Sequence, residues 1–303
     1  PKDMNTYDAT YQVSGSASSV SGTLAAATGN YIYFRIGLTG TNPGTAPRYG
    51  LVVLYYNNNT KYHLIYIRQG EAAAAIANTT GASYTVYNLK DPANGAGGST
   101  VTDHTDLSAY GGKAVFTAYP SQAGSLFQFG GSPLRAYHPV NAGHGVQISG
   151  WYNYTGAAAN ECPAGYRRPT YTPNNEMTPS GSHALGYYAD GFFDRHEITV
   201  GITTDATNLG VVKKDKTDVA YFGTLFFNPT TLASIFYPMS GERRWNTYNG
   251  QISRTGNYGR WWSGSDGYIL HTSYESGVHD VSIGTIYTGN YKSYGFSVRC
   301  VKD

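Results

Sequence analysis

The apolar residues of this chain occur in short runs rich in β-branched and aromatic side chains, and this limits the folds it can adopt. YIYFRIGL (31–38), LVVLYY (51–56) and DVAYFGTLFF (218–227) are separated by segments rich in Gly, Asn, Ser and Pro. Such runs, bounded by turn residues, are typical of strands. Lys, Glu and Leu, which favour long helices, are scarce, whereas Gly (38) and Tyr (29) are abundant. The sequence therefore predicts a mainly β protein with an α+β C-terminal part, its brief helices lying over 172–177 and 230–236.

The character of the chain changes near Gly70. LVVLYY, the Asn-rich NNNTK and YHLIYIRQ together predict a β hairpin. EAAAAIANTTGAS and DPANGAGGST follow, and both are poor in large apolar residues. We expect a small β-sandwich over 1–70, a linker or domain-packing segment over 71–112, and a second globular domain over 113–303.

Charge and hydropathy restrict the partners. The 21 basic residues nearly balance 19 acidic ones and form no runs, so nucleic acid is excluded as a partner. No apolar run approaches the ~20 residues that a membrane-spanning helix needs. A composition rich in Tyr, Gly, Ser and Asn is common outside the cell. We expect an exported protein whose lipid anchor, if it has one, lies upstream of Pro1.

The cysteine count allows two alternatives. Cys162 and Cys300 are the two cysteines of the chain, and an even pair in an exported protein predicts one disulfide. The alternative is a pair of buried free thiols. Because no CxxC motif and no His/Cys ligand spacing occurs, we expect no metal site and no cofactor.

The stretch from Gly250 to Lys292 combines many polar side chains with a thin apolar frame. Tyr, Ser, Gly and Asn also dominate antibody loops, where Tyr supplies contact area with few torsions to freeze. The stretch therefore suits a recognition surface, although the same residues fill ordinary loops of exported β proteins. Apolar residues recur within it and are expected to be buried: Trp261, Trp262, Ile269, Val278, Val281, Ile283 and Ile286.

Several motifs resemble one family of bacterial surface proteins. They are CPAGYRRPT (162–170), GYYADGFFDRHEI (186–198), VAYFGTLFFNPTTLASIFYPMSG (219–241), RWWSGS (260–265) and YGFSVRCVKD (294–303). Together they resemble the C-type lectin-like variable proteins of diversity-generating retroelements, whose fold recurs in pilus-tip adhesins. YIRQGE (66–71) resembles the end of the immunoglobulin-like domain that often precedes that fold. The resemblance implies that Cys300 lies beside Cys162.

The resemblance also implies a diversified binding face. In such proteins, copying with adenine errors turns an Asn codon, AAC, into codons for Tyr, Ser, Asp, His, Gly, Thr or Arg, but not Trp, Lys, Glu or Met. Glu242 and Trp245 fall outside that set, so 237–245 is expected to be fixed. The residues expected to form the ligand-binding face are Tyr248, Asn257, Tyr258, Asp266, His271, Ser273, Tyr274, His279, Asp280, Ser282, Tyr287, Asn290 and Tyr291.

The sequence lacks the residues that other proteins of this fold use for calcium-dependent sugar binding or for catalysis. Calcium-dependent sugar lectins use EPN or QPD with a later WND, and the nearest strings are FNPT (227–230) and RWN (244–246). Formylglycine-generating enzymes need a reactive cysteine pair beyond the expected disulfide. Asp190, Asp194 and Glu197 form the densest acidic cluster, which is more typical of a structural polar network than of a glycosidase pair. We expect no enzymatic activity.

The sequence therefore predicts a diversified adhesin at a cell surface or pilus tip, with a phage tail as another location. Its ligand would be a protein or glycoconjugate on another surface, and pilus or anchoring subunits would be further partners. One alternative is a structural subunit of a pilus or surface fibre. A second is a carbohydrate-binding module in which Trp261 and Trp262 stack on sugar rings, although we expect both tryptophans to belong to the buried frame.

Overall fold

The computed structural model describes residues 40–56, 60–76, 80–93, 104–118, 120, 122–137, 147–148, 151, 154–178, 186–188, 202–205, 208–212, 223–245, 248–254, 258–275, 278–285 and 289–303. The chain divides into two compact units, Pro1–Thr45 and Ala46–Asp303. The predicted strand 31–38 and the acidic cluster 190–197 lie outside the described residues.

The second unit is mainly β, as predicted. Its strands are β1 (Arg48–Tyr56), β2 (Lys61–Gln69), β3 (Ala74–Ala75), β4 (Ser83–Lys90), β5 (His104–Asp106), β6 (Val115–Phe116), β7 (Leu126–Phe127), β8 (Arg135–Tyr137), β9 (Tyr166–Arg167), β10 (Gly186–Tyr188), β11 (Ile202–Asp205), β12 (Asn208–Val212), β13 (Gly223–Phe227), β14 (Ser234–Pro238), β15 (Glu242–Arg243), β16 (Ile252–Ser253), β17 (Tyr258–Trp262), β18 (Tyr268–Glu275), β19 (Val278–Thr285) and β20 (Arg299–Lys302). The described helices are α1 (Tyr171–Glu176) and two short 3-10 helices, Leu107–Tyr110 and Gly289–Ser293.

The strands form several small sheets. β1 and β2 make the predicted hairpin. β14, β13 and β10 form one antiparallel sheet, and β17, β18 and β19 form another. β5, β8 and β7 form a third three-stranded sheet, while β11 with β12 and β15 with β16 are two-stranded.

The C-terminal strand lies at the centre of its sheet. β20 pairs with β4 on one side and β9 on the other, while β3 and β6 extend the sheet from β4. Residues expected to be a linker therefore supply strands that pair with the last residues of the chain. By their contacts, the 48–69 hairpin and 71–112 belong to the same compact unit, Ala46–Asp303, as the C-terminus.

A disulfide joins Cys162 to Cys300, as predicted, with the two Cα atoms 6.1 Å apart. Both cysteines are fully buried. The preceding residue, Glu161, forms a buried ion pair with Arg168, whose Nη2 lies 2.7 Å from the carboxylate. Arg168 also donates to the carbonyl of Phe129. Charge and hydrogen-bonding capacity are therefore matched within this buried corner, which fixes the CPAGYRRPT motif against the core.

Two clusters of buried side chains form the core, and consecutive tryptophans of β17 enter them from opposite faces. Trp262 packs on Phe296, with ring centroids 4.5 Å apart, and donates from Nε1 to the carbonyl of Phe127. Trp261 packs on Tyr237 at 4.8 Å and donates to Asn88. Each tryptophan is 1% exposed. The prediction that both belong to the buried frame is confirmed, and neither can stack on a sugar.

The predicted helix over 172–177 corresponds to α1, but the one over 230–236 is wrong. Asn228 Oδ1 accepts the backbone N–H groups of Thr230 and Thr231, which makes a turn there. The chain then continues as β14, every residue of which is buried. Pairing with β13 satisfies its backbone and buries its apolar side chains, and this outweighs local helix propensity.

Candidate functional site

The two faces of the β17–β18–β19 sheet have different chemistry. Leu270 lies opposite Trp261 on one neighbour and Ile283 on the other. Thr272 lies opposite Val281, and both are buried. Because side chains alternate along a strand, these positions share one face, on which Trp261, Leu270 and Val281 belong to the second core cluster.

The opposite face is divided along its length. At one end Trp262 and Ile269 pair with each other and enter the first core cluster. At the other end the side chains are polar or aromatic: Tyr258, Arg260, His271, Ser273, Asp280 and Ser282. The sheet is therefore anchored by core residues and presents a polar end, which we call the polar face. Five of its six residues were predicted site residues.

Exposure differs among these residues. Asp280 is exposed and accepts a hydrogen bond from the Ser282 hydroxyl at 2.9 Å. His271 and Ser282 are half-buried. Tyr258 and Ser273 are only 7% and 8% exposed. Because they are buried, Tyr258 and Ser273 stabilise the polar face but offer a ligand little contact area.

A buried carboxylate organises the arginines beside the polar face. Glu242, on β15, is 2% exposed and forms ion pairs with Arg260 and Arg254, the latter at 4.0 Å. Both guanidinium groups also lie over the ring of Tyr258, at 5.1 and 4.3 Å from its centroid. Two cations therefore share one buried anion.

A second group of residues, which we call the aromatic rim, lies on the chain segments beside β15 and β20. Tyr291 stacks on Tyr294 with ring centroids 5.4 Å apart. The guanidinium of Arg244 lies 3.6 Å from the ring centroid of Tyr248. Burial raises the pKa of Tyr294, the Glu242 carboxylate raises it further, and Arg244 opposes both. The backbone of Arg243, between Glu242 and Arg244, pairs with that of Gly295, next to Tyr294, so the polar face and the aromatic rim adjoin.

Three predicted residues are exposed and belong to the aromatic rim or lie close to it. Tyr248 and Tyr291 are 39% and 43% exposed, among the most exposed large side chains of the described residues. Asp266 forms an ion pair with Lys292 at 2.9 Å, and its own side chain is 68% exposed. Lys292 also donates to the carbonyl of Gly156.

The remaining predicted site residues lie outside the polar face and the aromatic rim, or outside the described residues. Tyr274 and His279 pair with each other across β18 and β19, at positions that alternate with those of His271 and Ser282. Asn290 lies in the 3-10 helix Gly289–Ser293. Asn257 and Tyr287 lie outside the described residues.

Sequence reasoning missed three arginines and one glutamate of the site. Arg244, Arg254 and Arg260 were not among the predicted residues, and Glu242 was assigned to a fixed segment. Alternation along the strand could have found Arg260, because it lies two residues after Tyr258. Glu242 is indeed scaffold by its burial, but its role in neutralising two arginines depends on a contact between distant segments.

The described part of the chain contains no group of three or more His, Cys, Asp or Glu residues placed to hold a metal ion. None of its described helices has the length and apolar character to cross a membrane. No protein-family model, no curated protein and no solved structure matches the chain.

Proposed function

We propose that this protein is an exported adhesin that binds a protein ligand through the polar face and the aromatic rim. The observation that carries the proposal is the register of the β17–β18–β19 sheet. It brings His271, Asp280 and Ser282 onto one face, while Leu270, Thr272 and Val281, at alternating positions, are buried. Variation on that face would leave the core unchanged, which is what a diversified binding surface requires.

The chemistry of the surface supports recognition rather than catalysis. Exposed tyrosines and arginines are the residue types that most often dominate binding energy at interfaces. Here they lie on strands and short turns of a disulfide-linked domain, so little conformational freedom is lost on binding. In this proposal the fold is C-type lectin-like, an immunoglobulin-like domain precedes it, and the protein acts at a cell surface or pilus tip.

The first test is the DNA around the gene. We expect a second, near-identical copy of the codons for residues 245–300 beside a reverse transcriptase gene. The two copies should differ where the second has adenine, and the affected codons should include those for His271, Asp280 and Ser282. The codons for Leu270, Thr272 and Val281 should be unchanged, because those side chains are buried. Differences spread equally over both sets would contradict the assigned face.

The second test is physical and does not depend on the gene neighbourhood. The codons for Tyr248, His271, Asp280, Ser282 and Tyr291 are randomised in a displayed library, and a matched library randomises buried residues of the same sheet. The first library should remain folded and yield binders to unrelated protein targets. The proposal fails if the first library unfolds as extensively as the second.

A further inference from the structure

The guanidinium of Arg244 is stacked on an aromatic side chain of the rim. It lies 3.6 Å from the ring centroid of Tyr248, a distance that indicates direct stacking. Arg243 and Gly295 exchange backbone hydrogen bonds, which brings the adjoining residues Arg244 and Tyr294 near each other. The guanidinium is therefore oriented by its neighbours, although the residue is only half-buried.

The charge of Arg244 is not neutralised within the described part of the chain. Arg254 and Arg260 share the carboxylate of Glu242, and Arg167 pairs with Asp303. Arg244 forms no ion pair with any described residue, and its guanidinium lies over the ring of Tyr248. A guanidinium stacked on an aromatic ring keeps N–H groups at its edge that can bind a carboxylate in two parallel hydrogen bonds.

The segments that carry these side chains are fixed by backbone hydrogen bonds. Arg244 N donates to the carbonyl of Gln251, and Gly250 N donates to the carbonyl of Arg244, which closes the loop that carries Tyr248. The carbonyl of Gly250 also accepts from Arg243. In the 3-10 helix of Tyr291, the carbonyl of Lys292 accepts from Phe129 N at 3.0 Å. The rim is thus preorganised, which lowers the entropic cost of binding.

We propose that Arg244, with the exposed rings of Tyr248 and Tyr291, forms a subsite for the carboxylate of an acidic segment of a protein ligand. The inference rests on the proposed function and names the chemistry that this part of the surface recognises. The carboxylate pairs with Arg244, and an apolar side chain beside it packs on the tyrosine rings. An acidic sugar fits less well, because its hydroxyl groups would need several converging polar side chains, and the described rim supplies Arg244 and tyrosine hydroxyls.

The test measures binding of small probes to the full chain labelled with ¹⁵N-arginine. The Nε–H resonances are followed by NMR while 3-phenylpropionate, 3-phenylpropionamide or glucuronate is added at constant ionic strength. The first probe carries a carboxylate and an apolar group, the second lacks the charge, and the third is an acidic sugar. We expect 3-phenylpropionate to shift one resonance saturably in the millimolar range, as suits a ligand of this size.

Variants assign the resonance and the interaction. In Arg244→Gln the shifting resonance should be absent. Binding of 3-phenylpropionate, followed in the parent chain and all variants by quenching of intrinsic fluorescence, should weaken by about tenfold or more, since a charge-assisted hydrogen bond is lost. Arg244→Lys should give an intermediate loss, because a lysine keeps the charge but not the planar fork. Arg167→Gln, an exposed arginine of β9, is the matched control and should bind as the parent chain does.

Four results would overturn the subsite: no saturable shift, equal binding of the amide and the acid, equal binding of glucuronate, or unchanged binding by Arg244→Gln. None of these would change the outcome of the library or gene-neighbourhood tests, which concern the whole face. Failure of the carboxylate subsite is therefore distinguishable from failure of the proposed function.

Discussion

The ring of Tyr258 is stacked on the imidazole of His271, with centroids 5.1 Å apart and the ring planes inclined by 23°. Arg254 covers the tyrosine ring as well, at 4.3 Å from its centroid. The sequence assigns Tyr258 and Tyr248 the same role, as members of the binding face. The structure separates them, because Tyr258 is 7% exposed and Tyr248 is 39% exposed.

Alanine substitutions of Tyr258 and Tyr248 should differ in their effect on the free energy of unfolding. Tyr258→Ala removes a buried ring and should lower the free energy of unfolding by about 3 kcal/mol. Tyr248→Ala removes an exposed ring and should change it by no more than about 0.5 kcal/mol. Urea denaturation followed by tryptophan fluorescence measures both. Equal effects of the two substitutions would show that Tyr258 is not part of the frame.

The buried disulfide should contribute strongly to stability. It closes a loop between cysteines 138 residues apart, for which the chain-entropy model gives a stabilisation of about 4–5 kcal/mol. Urea denaturation with and without a thiol reductant should differ by roughly that amount. Because Cys162 and Cys300 are fully buried, reductant should act only on unfolded molecules. Rapid reduction of the folded protein would contradict the burial of the bond.

Local patterns predicted the parts of the fold that local interactions determine. The hairpin of β1 and β2 follows from alternating apolar runs around an Asn-rich turn. The buried tryptophans follow from their place in an apolar frame, and the disulfide from the cysteine count. Each inference needed only neighbouring residues or a count of one residue type.

Pairing between distant segments was not predictable in the same way. β20 pairs with β4, so that Arg299 lies opposite Asn88, and nothing in the SYTVYNLK sequence of β4 indicates this partner. The segment therefore resembled a linker. The same limit applies to the site: alternation could group His271 with Ser273, but the burial of Tyr258 depends on Arg254, which approaches from outside the sheet.

Gly259 should not tolerate a side chain, although it lies in a strand. A Cβ atom there would lie 2.1 Å from the Trp261 ring and 2.8 Å from the Thr272 hydroxyl. Both neighbours are buried and cannot move freely. Gly259→Ala should therefore cost about 1–3 kcal/mol through overpacking.

Gly50 of β1 provides the matched control for that substitution. A Cβ atom at Gly50 would meet nothing within 4 Å. Gly50→Ala should leave the free energy of unfolding, measured by urea denaturation, within about 0.5 kcal/mol of the parent value. If Gly259→Ala were as well tolerated as Gly50→Ala, the close approach of the Trp261 ring to Gly259 would be wrong.

Stability should fall at alkaline pH because buried tyrosines resist ionisation. Burial raises the pKa of Tyr84 and of Tyr237 above the ordinary value near 10. The folded chain then holds these protons at pH values where the unfolded chain has released them. Stability is therefore complete below about pH 10 and declines above it, by about 1.4 kcal/mol per pH unit for each tyrosine.

Arg299 acts in the opposite sense and must be separated from the tyrosines. Burial lowers its pKa to about 10, so the folded chain releases this proton before the unfolded chain does. Tyr237→Phe isolates one tyrosine, since it keeps the ring on which the Arg299 guanidinium lies at 4.4 Å. Urea denaturation from about pH 9 to 11 should show a free energy of unfolding that falls by about 1.4 kcal/mol less in total in Tyr237→Phe than in the parent chain, most of the difference arising above pH 10. Identical decreases would mean that Tyr237 ionises in the folded protein, which its burial beside Tyr84 argues against.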